Sequence, residues 1–231
     1  MKVDIAIIGA MDSEVGGLIS MLEEHKSEQC GILVFHTGML LGKRVAVAKC
    51  GIGKVFAAMC AEAMIVKYSP DLLVNTGVGG ALASGISPTD IVIASELCQH
   101  DMDTSALGDE VGLVSGINKI YFEADGRAVK ILSDAASEKG YKHHIGKIAT
   151  GDRFVADFET KKLIKDRFGA MACEMEGAAI AQTAFVNGVP FAVIRAISDS
   201  ADGEASMEYM SFLPIAAERS LALTLELVKK Y

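Results

Sequence analysis

The residues best suited to chemistry in this sequence are acids at the ends of apolar runs. Glu14 follows the first such run, at the start of a helical pattern. Glu174 and Glu176 flank Met175, where a short extended segment, Met171–Cys173, gives way to a helix. Asp199 follows the apolar stretch Phe191–Ile197. Side chains two apart point to the same side of an extended chain, whereas in a helix they diverge by about 200°. Three acids carried to separate strand ends could converge on one pocket as proton donor, water-activating base and hydrogen-bond acceptor. The electrostatic preference of helix N-termini for acids accounts equally well for Glu14 and Glu176. It accounts poorly for Asp199, which stands behind Arg195-Ala-Ile-Ser.

Other constellations are weaker. Thr76-Gly77-Val78-Gly79-Gly80 invites a nucleotide reading, but Leu82 occupies the third glycine position of a dinucleotide fingerprint, and Phe56 does so after Gly51-Ile52-Gly53. Neither loop ends in the Gly-Lys-Ser/Thr of a phosphate cradle. A tight strand-to-helix turn, or a backbone approached closely by a flat ligand, explains the glycines as well. His100-Asp101-Met102-Asp103 resembles half of a metal site, yet no second ligand cluster accompanies it, and His143-His144 has no carboxylate nearby. A polar loop at the edge of a site, or a subunit contact, is the favoured reading. No metal and no cofactor are expected.

The elements that must position these acids alternate along the chain. Strands are predicted at Val3–Ile8, Ile32–His36, Arg44–Lys49, Leu72–Asn75, Asp90–Ala94, Ile145–Thr150 and Pro190–Ile197. Helices are predicted near 11–24, 53–68, 126–138, 158–167, 177–187 and 211–229. This order implies a single α/β domain over residues 1–231, with three αβα layers around a mixed, largely parallel twisted sheet. Ligands of such sheets bind where strands run out. Gly9–Glu14, Thr76–Gly80, Gly151–Val155 and Arg195–Asp199 all fall just past predicted strand ends.

Composition narrows the partners. With 231 residues, 51% hydrophobic and only 6% aromatic, the core must be aliphatic. Against 30 acidic residues stand 22 basic ones, a net charge of −8 that disfavours nucleic acid and anionic lipid. No run approaches the roughly 20 apolar residues of a spanning helix. Asp4 interrupts the apolar N-terminus, which argues against a signal peptide. Five cysteines without CxxC spacing read as buried thiols in a reducing compartment, hence a cytoplasmic protein.

Taken together, Ile8-Gly9-Ala10-Met11 with Glu14, Cys50–Lys54, Asn75-Thr76-Gly77, His100–Asp103, Thr150–Phe154, Glu174-Met175-Glu176 and Arg195–Asp199 resemble the 5′-methylthioadenosine/S-adenosylhomocysteine nucleosidases. The resemblance runs in the family's order over nearly the whole chain, and it implies a nucleoside phosphorylase-like fold. It implies hydrolysis of the N-glycosidic bond to adenine, through an oxocarbenium-like sugar and a leaving base that must be protonated, a logic parallel to glycoside hydrolysis. In that scheme Asp199 protonates N7, oriented by Ser198, and Glu14 activates water. Glu176 grips the ribose hydroxyls over Met175, supported by Glu174 and Arg195. Phe154 stacks on adenine, the backbone of Val155 pairs with the base edge, and Met11, Ile52 and Tyr209 line the 5′-alkylthio end. A homodimer is implied as well.

Three positions depart from the family pattern. Val78 stands where relatives commonly carry Ser, Tyr209 where Phe is usual, and Leu107-Gly108-Asp109 replaces an aromatic-rich segment that reaches across the dimer. They bear on the 5′-specificity and leave the three acids intact. The nearest rival, a phosphorylase, needs cations around phosphate, but neither 9–14 nor 76–83 contains Lys or Arg. A nucleosidase for another adenine nucleoside, such as aminodeoxyfutalosine or 5′-deoxyadenosine, is a further alternative. A non-catalytic nucleoside-binding sensor would not need the three acids together.

Overall fold

In the computed structural model, which describes residues 2–201 and 205–231, one sheet joins every strand. The elements follow as β1 (Ile5–Gly9), α1 (Asp12–Ser20), β2 (Glu23–Cys30), β3 (Leu33–Leu40), β4 (Lys43–Lys49), α2 (Lys54–Tyr68), β5 (Leu72–Ala81) and β6 (Ile91–Gln99). After a short 3-10 turn at Ser105–Leu107 come β7 (Phe122–Glu123), α3 (Gly126–Glu138), β8 (His143–Thr150), α4 (Phe158–Phe168), β9 (Ala170–Glu174), α5 (Gly177–Val186), β10 (Phe191–Asp199) and α6 (Ala205–Lys230).

Sheet order is β10-β6-β8-β9-β5-β1-β4-β3-β2, and β10 pairs β5 as well. The strands β5, β10, β6, β8 and β9 therefore close into a ring, from which β1 to β4 extend as an open wing. The sheet is mixed as expected. Pairing is parallel along β4-β1-β5-β10 and β6-β8-β9, and antiparallel where β10 meets β6 and β5 meets β9.

Period-two alternation distributes the strand side chains between two cores. Ala6 and Ile8 of β1 face the cluster covered by α2 and α5, while Ile5 and Ile7 face the one covered by α1, α3 and α6. A smaller cluster holds α4 against the ring through Ile164 and Phe168. No helix among the described residues is long and apolar enough to cross a membrane.

The structure corrects the sequence reading in four places. The helix predicted to Glu24 ends at Ser20, and Glu23–Cys30 forms an edge strand that was not foreseen. All eight of its residues are exposed, so no buried face imposes an alternating pattern. Thr76–Gly80 and Arg195–Asp199 are not loops past strand ends but the last turns of long strands, paired from Thr76↔Ile194 to Gly80↔Asp199. The final helix begins six residues earlier than expected, at Ala205, which brings Tyr209 into it. β3 and β4 are joined by a two-residue loop with both Leu41 (φ 51°) and Gly42 (φ 82°) left-handed, the backbone of a type I′ hairpin.

Candidate active site

Where β1 runs out at Gly9, the chain turns into α1 and Glu14 bends back over the turn. Its Oε2 accepts the backbone N–H groups of Ala10 (2.7 Å) and Met11 (3.0 Å), and its Oε1 that of Val78 on β5 (3.1 Å). Burial raises Glu14 above the ordinary carboxylate value, opposed by the Arg195 charge and these three donors. The carboxylate lies so close to β5 that a Cβ on Gly77 would stand 2.5 Å from Oε1. That proximity explains a glycine in the middle of a strand.

Glu174 ends β9 and Glu176 precedes α5, with the change of element between them, so both face inward. Glu174 Oε2 accepts the N–H groups of Glu176 (3.0 Å) and Gly177 (2.7 Å) and pairs with the Arg195 guanidinium; Thr150 donates to its Oε1. Arg195 is fully buried and also donates to Asn75, whose side-chain amide donates to the Ile8 carbonyl (3.0 Å). Glu174 and Arg195 thus brace the ends of β9, β10, β5 and β1 against one another. Among the described residues Glu176 accepts one such bond, from the Gly53 N–H (2.9 Å). Burial, and next the charge of Glu174, push its carboxyl up to about 7.

Asp199 closes β10 at 1% exposure. Its Oδ1 accepts the Ser198 hydroxyl at 2.9 Å, and a Cβ on Gly80 would lie 2.8 Å from its Oδ2. Its setting is less apolar than its sequence neighbours suggested. Lys161 of α4 reaches Oδ2 at 2.9 Å, with both side chains 2% exposed. Sequence reasoning passed over Lys161, because Lys161-Lys162-Leu-Ile-Lys165-Asp166 reads as a solvated helix face. The available signal was spacing: Lys161, Ile164 and Phe168 share one stripe, and that stripe is buried.

These groups meet at a cavity of about 550 Å³. Glu14, Glu174 and Glu176 line it with Ser198 and Asp199, and Met11, Ile52, Val78, Phe154, Met175 and Tyr209 supply apolar wall. Two expected residues lie outside this lining. Arg195 is beneath it, and Val155 packs into the α4 core while bordering a narrow side pocket of about 30 Å³ with Arg153 and Phe154. The His100–Asp103 segment lies outside the cavity lining and ties the segments at Lys54 and Asp152 together. Asp101 takes Lys54 Nζ at 2.6 Å and the Asp152 N–H at 2.9 Å, while Asp152 takes the Lys54 N–H at 2.8 Å. Among the described residues no three His, Cys, Asp or Glu side chains are grouped to hold a metal ion.

The family model described as the phosphorylase superfamily matches residues 4–229. A 5′-methylthioadenosine/S-adenosylhomocysteine nucleosidase of Shewanella loihica is 39% identical over 97% of this chain and 98% of its own length. The chain belongs to this nucleosidase family. The nucleosidase of Neisseria meningitidis, solved in complex with methylthio-immucillin-A, superposes with a TM-score of 0.95 at 38% identity, covering 99% of both chains. A futalosine hydrolase of Helicobacter pylori superposes at 0.93 with 32% identity, over 99% of this chain and 98% of that one.

Within this nucleosidase frame the three departures have definite places. The Val78 side chain lines the cavity while its N–H holds Glu14. Tyr209 meets Phe154 edge to face, with ring centres 5.7 Å apart, and its hydroxyl lies 3.4 Å from Met11 Sδ. Leu107 stands on the 3-10 turn at 84% exposure.

Proposed function

We propose that this chain is a purine nucleoside hydrolase, cleaving 5′-methylthioadenosine and S-adenosylhomocysteine to adenine and the 5′-thio-ribose. One observation carries the reading: Glu14, Glu176 and Asp199, delivered by three separate parts of the chain, line a single nucleoside-sized cavity. As the C1′–N9 bond breaks, its electron pair moves onto adenine, and Asp199 gives N7 the proton that makes adenine a competent leaving group. Ser198 fixes the Asp199 carboxyl. Glu14, held by three backbone donors, orients a water toward C1′ and takes its proton. Glu176 accepts the ribose hydroxyls, with Met175 beneath the sugar. Phe154 covers the adenine face and the Val155 backbone its edge, while Met11, Ile52 and Tyr209 surround the alkylthio group. Arg195 is already committed to Glu174 and Asn75, and an acid stands where a phosphate would need cations, which favours water over phosphate as nucleophile.

The likeness to a futalosine hydrolase supports a second substrate class, 6-amino analogues such as aminodeoxyfutalosine, in the same pocket. The chain works as one domain and as a homodimer. Val55, Met59 and Val66 share one exposed face of α2 (70%, 52% and 72% exposed), a stripe suited to a second copy. Four of the five cysteines are buried free thiols, consistent with a cytoplasmic setting. Adenine release from 5′-methylthioadenosine, S-adenosylhomocysteine and aminodeoxyfutalosine, with and without phosphate, tests the reading. Phosphate-independent release is expected, and release only with phosphate would assign a phosphorylase.

A further inference from the structure

Asp199 is the acid of the reading above, yet both its oxygens are occupied as acceptors. Oδ1 takes the Ser198 hydroxyl at 2.9 Å and Oδ2 takes Lys161 Nζ at 2.9 Å. Each contact brings a donor to the carboxyl group, and the one on Oδ2 is a buried amine. The adjacent proton is on the ammonium of Lys161, which also donates to the Ser200 carbonyl at 2.6 Å. Burying a lysine is costly unless it is paired, and α4 orients this one inward although Lys162 on the same helix is exposed and Lys165 half-buried. Lys161 also lines a second cavity, of about 290 Å³, with Phe158, Lys162, Lys165 and Asp166 of α4. The residue therefore stands between that cavity and Asp199.

We propose that Lys161 supplies the catalytic proton, with Asp199 passing it on to the leaving adenine. The inference rests on the assignment of Asp199 given above. As C1′–N9 breaks and its electron pair goes to adenine, N7 becomes basic. A proton moves from Lys161 Nζ to the Asp199 carboxylate, which passes it on to N7. Asp199 ends as a carboxylate and Lys161 as a neutral amine. The attacking water bonds to C1′ and leaves one proton on Glu14; Glu14 then releases that proton to solvent as Lys161 takes one up, so each turnover is balanced. Lys161 acts through Asp199 and not on the substrate.

Lysine suits this task where arginine would not, because a guanidinium keeps its charge but does not release a proton in proteins. Among the described residues, the groups that face the pair are Cys173 from β9, Tyr209 from α6, and Ser198 and Ser200 at the end of β10. Burial holds the Cys173 thiol up at about 12, so it does not titrate in the working range.

The test compares Lys161→Met and Lys161→Arg with the parent, in steady-state hydrolysis of 5′-methylthioadenosine from pH 6 to 9. It adds equilibrium binding of the 7-deaza analogue, in which carbon replaces N7. Both variants are expected to lose at least about 30-fold in kcat with KM within about 3-fold, a typical loss for a removed proton donor. Binding of the 7-deaza analogue should be unchanged, which also reports an intact fold. The parent is expected to show an alkaline fall of kcat that is absent from both variants. Near-parental turnover in Lys161→Arg would reduce Lys161 to a fixed charge and overturn the proposal, as would near-parental turnover in Lys161→Met. Loss of analogue binding together with kcat would make its role structural and also overturn it. A parent that releases no adenine would remove the underlying assignment and this inference together, an outcome visible before any variant is made.

Discussion

Each acid in the pocket is held by different neighbours, and single substitutions should separate them. Asp199→Asn keeps the shape and the Ser198 contact but cannot pass a proton; a loss of about 10²–10⁴-fold in kcat is expected in a folded protein. Glu14→Gln loses part of its three-donor grip and its capacity as a base. It should bind substrate with near-normal affinity and turn over slowly, so loss of binding would recast Glu14 as a binding group. Glu176 carries a pH signature. Its folded value, about 7, lies above the ordinary 4.5, so its stabilising contribution is complete below pH 4.5 and is lost as pH rises through 7. Glu176→Gln has no such loss. Relative to the parent it should gain on going from pH 5 to pH 8, by at most about 3 kcal/mol, read from thermal melts at the two pH values. Asp199 was legible in the sequence because a carboxylate closing an apolar strand has few structural reasons to be there, whereas the helix N-termini alone account for Glu14 and Glu176. Lys161 was not, because a lysine in a charged helix looks solvated until a neighbouring element covers it.

At the scale of elements, the glycines of β5 are the clearest link between sequence and chemistry. Read alone, Thr76–Gly80 looks like a turn, since glycine weakens strands. In place, the segment continues as strand beside β10, and its missing side chains make room for carboxylates on both flanks, Glu14 at Gly77 and Asp199 at Gly80. Gly80→Ala would place a methyl 2.8 Å from Asp199 Oδ2 and force that carboxyl, or Lys161, to move. A drop of at least about 10-fold in kcat is expected with the fold retained, since small misplacements of reacting groups are costly. Unchanged kcat would show that the strand yields instead. The alternating strands and helices were readable because most bury at least one face and so write a period of two or 3.6. Edge strand β2 buries none of its residues and left no such mark.

At the scale of the molecule, the apolar stripe on α2 begins at Val55, two residues beyond Gly53, whose N–H holds Glu176. An interface there would couple assembly to the ribose-binding end of the site. In the homodimer proposed above, Val55→Asp combined with Met59→Asp should shift sedimentation velocity from dimer to monomer and raise KM more than it lowers kcat. A double variant that stays dimeric would place the interface elsewhere.

The closed ring of β5, β10, β6, β8 and β9 carries Asp199, Glu174 and the glycines that seat the acids. A ring has no free edge from which to fray, and strands bonded on both sides open only with the global transition. Heating should therefore not erode catalysis gradually ahead of denaturation. Activity and tertiary structure should vanish over the same few degrees, and a preparation that has survived a thermal challenge folded should have survived it competent.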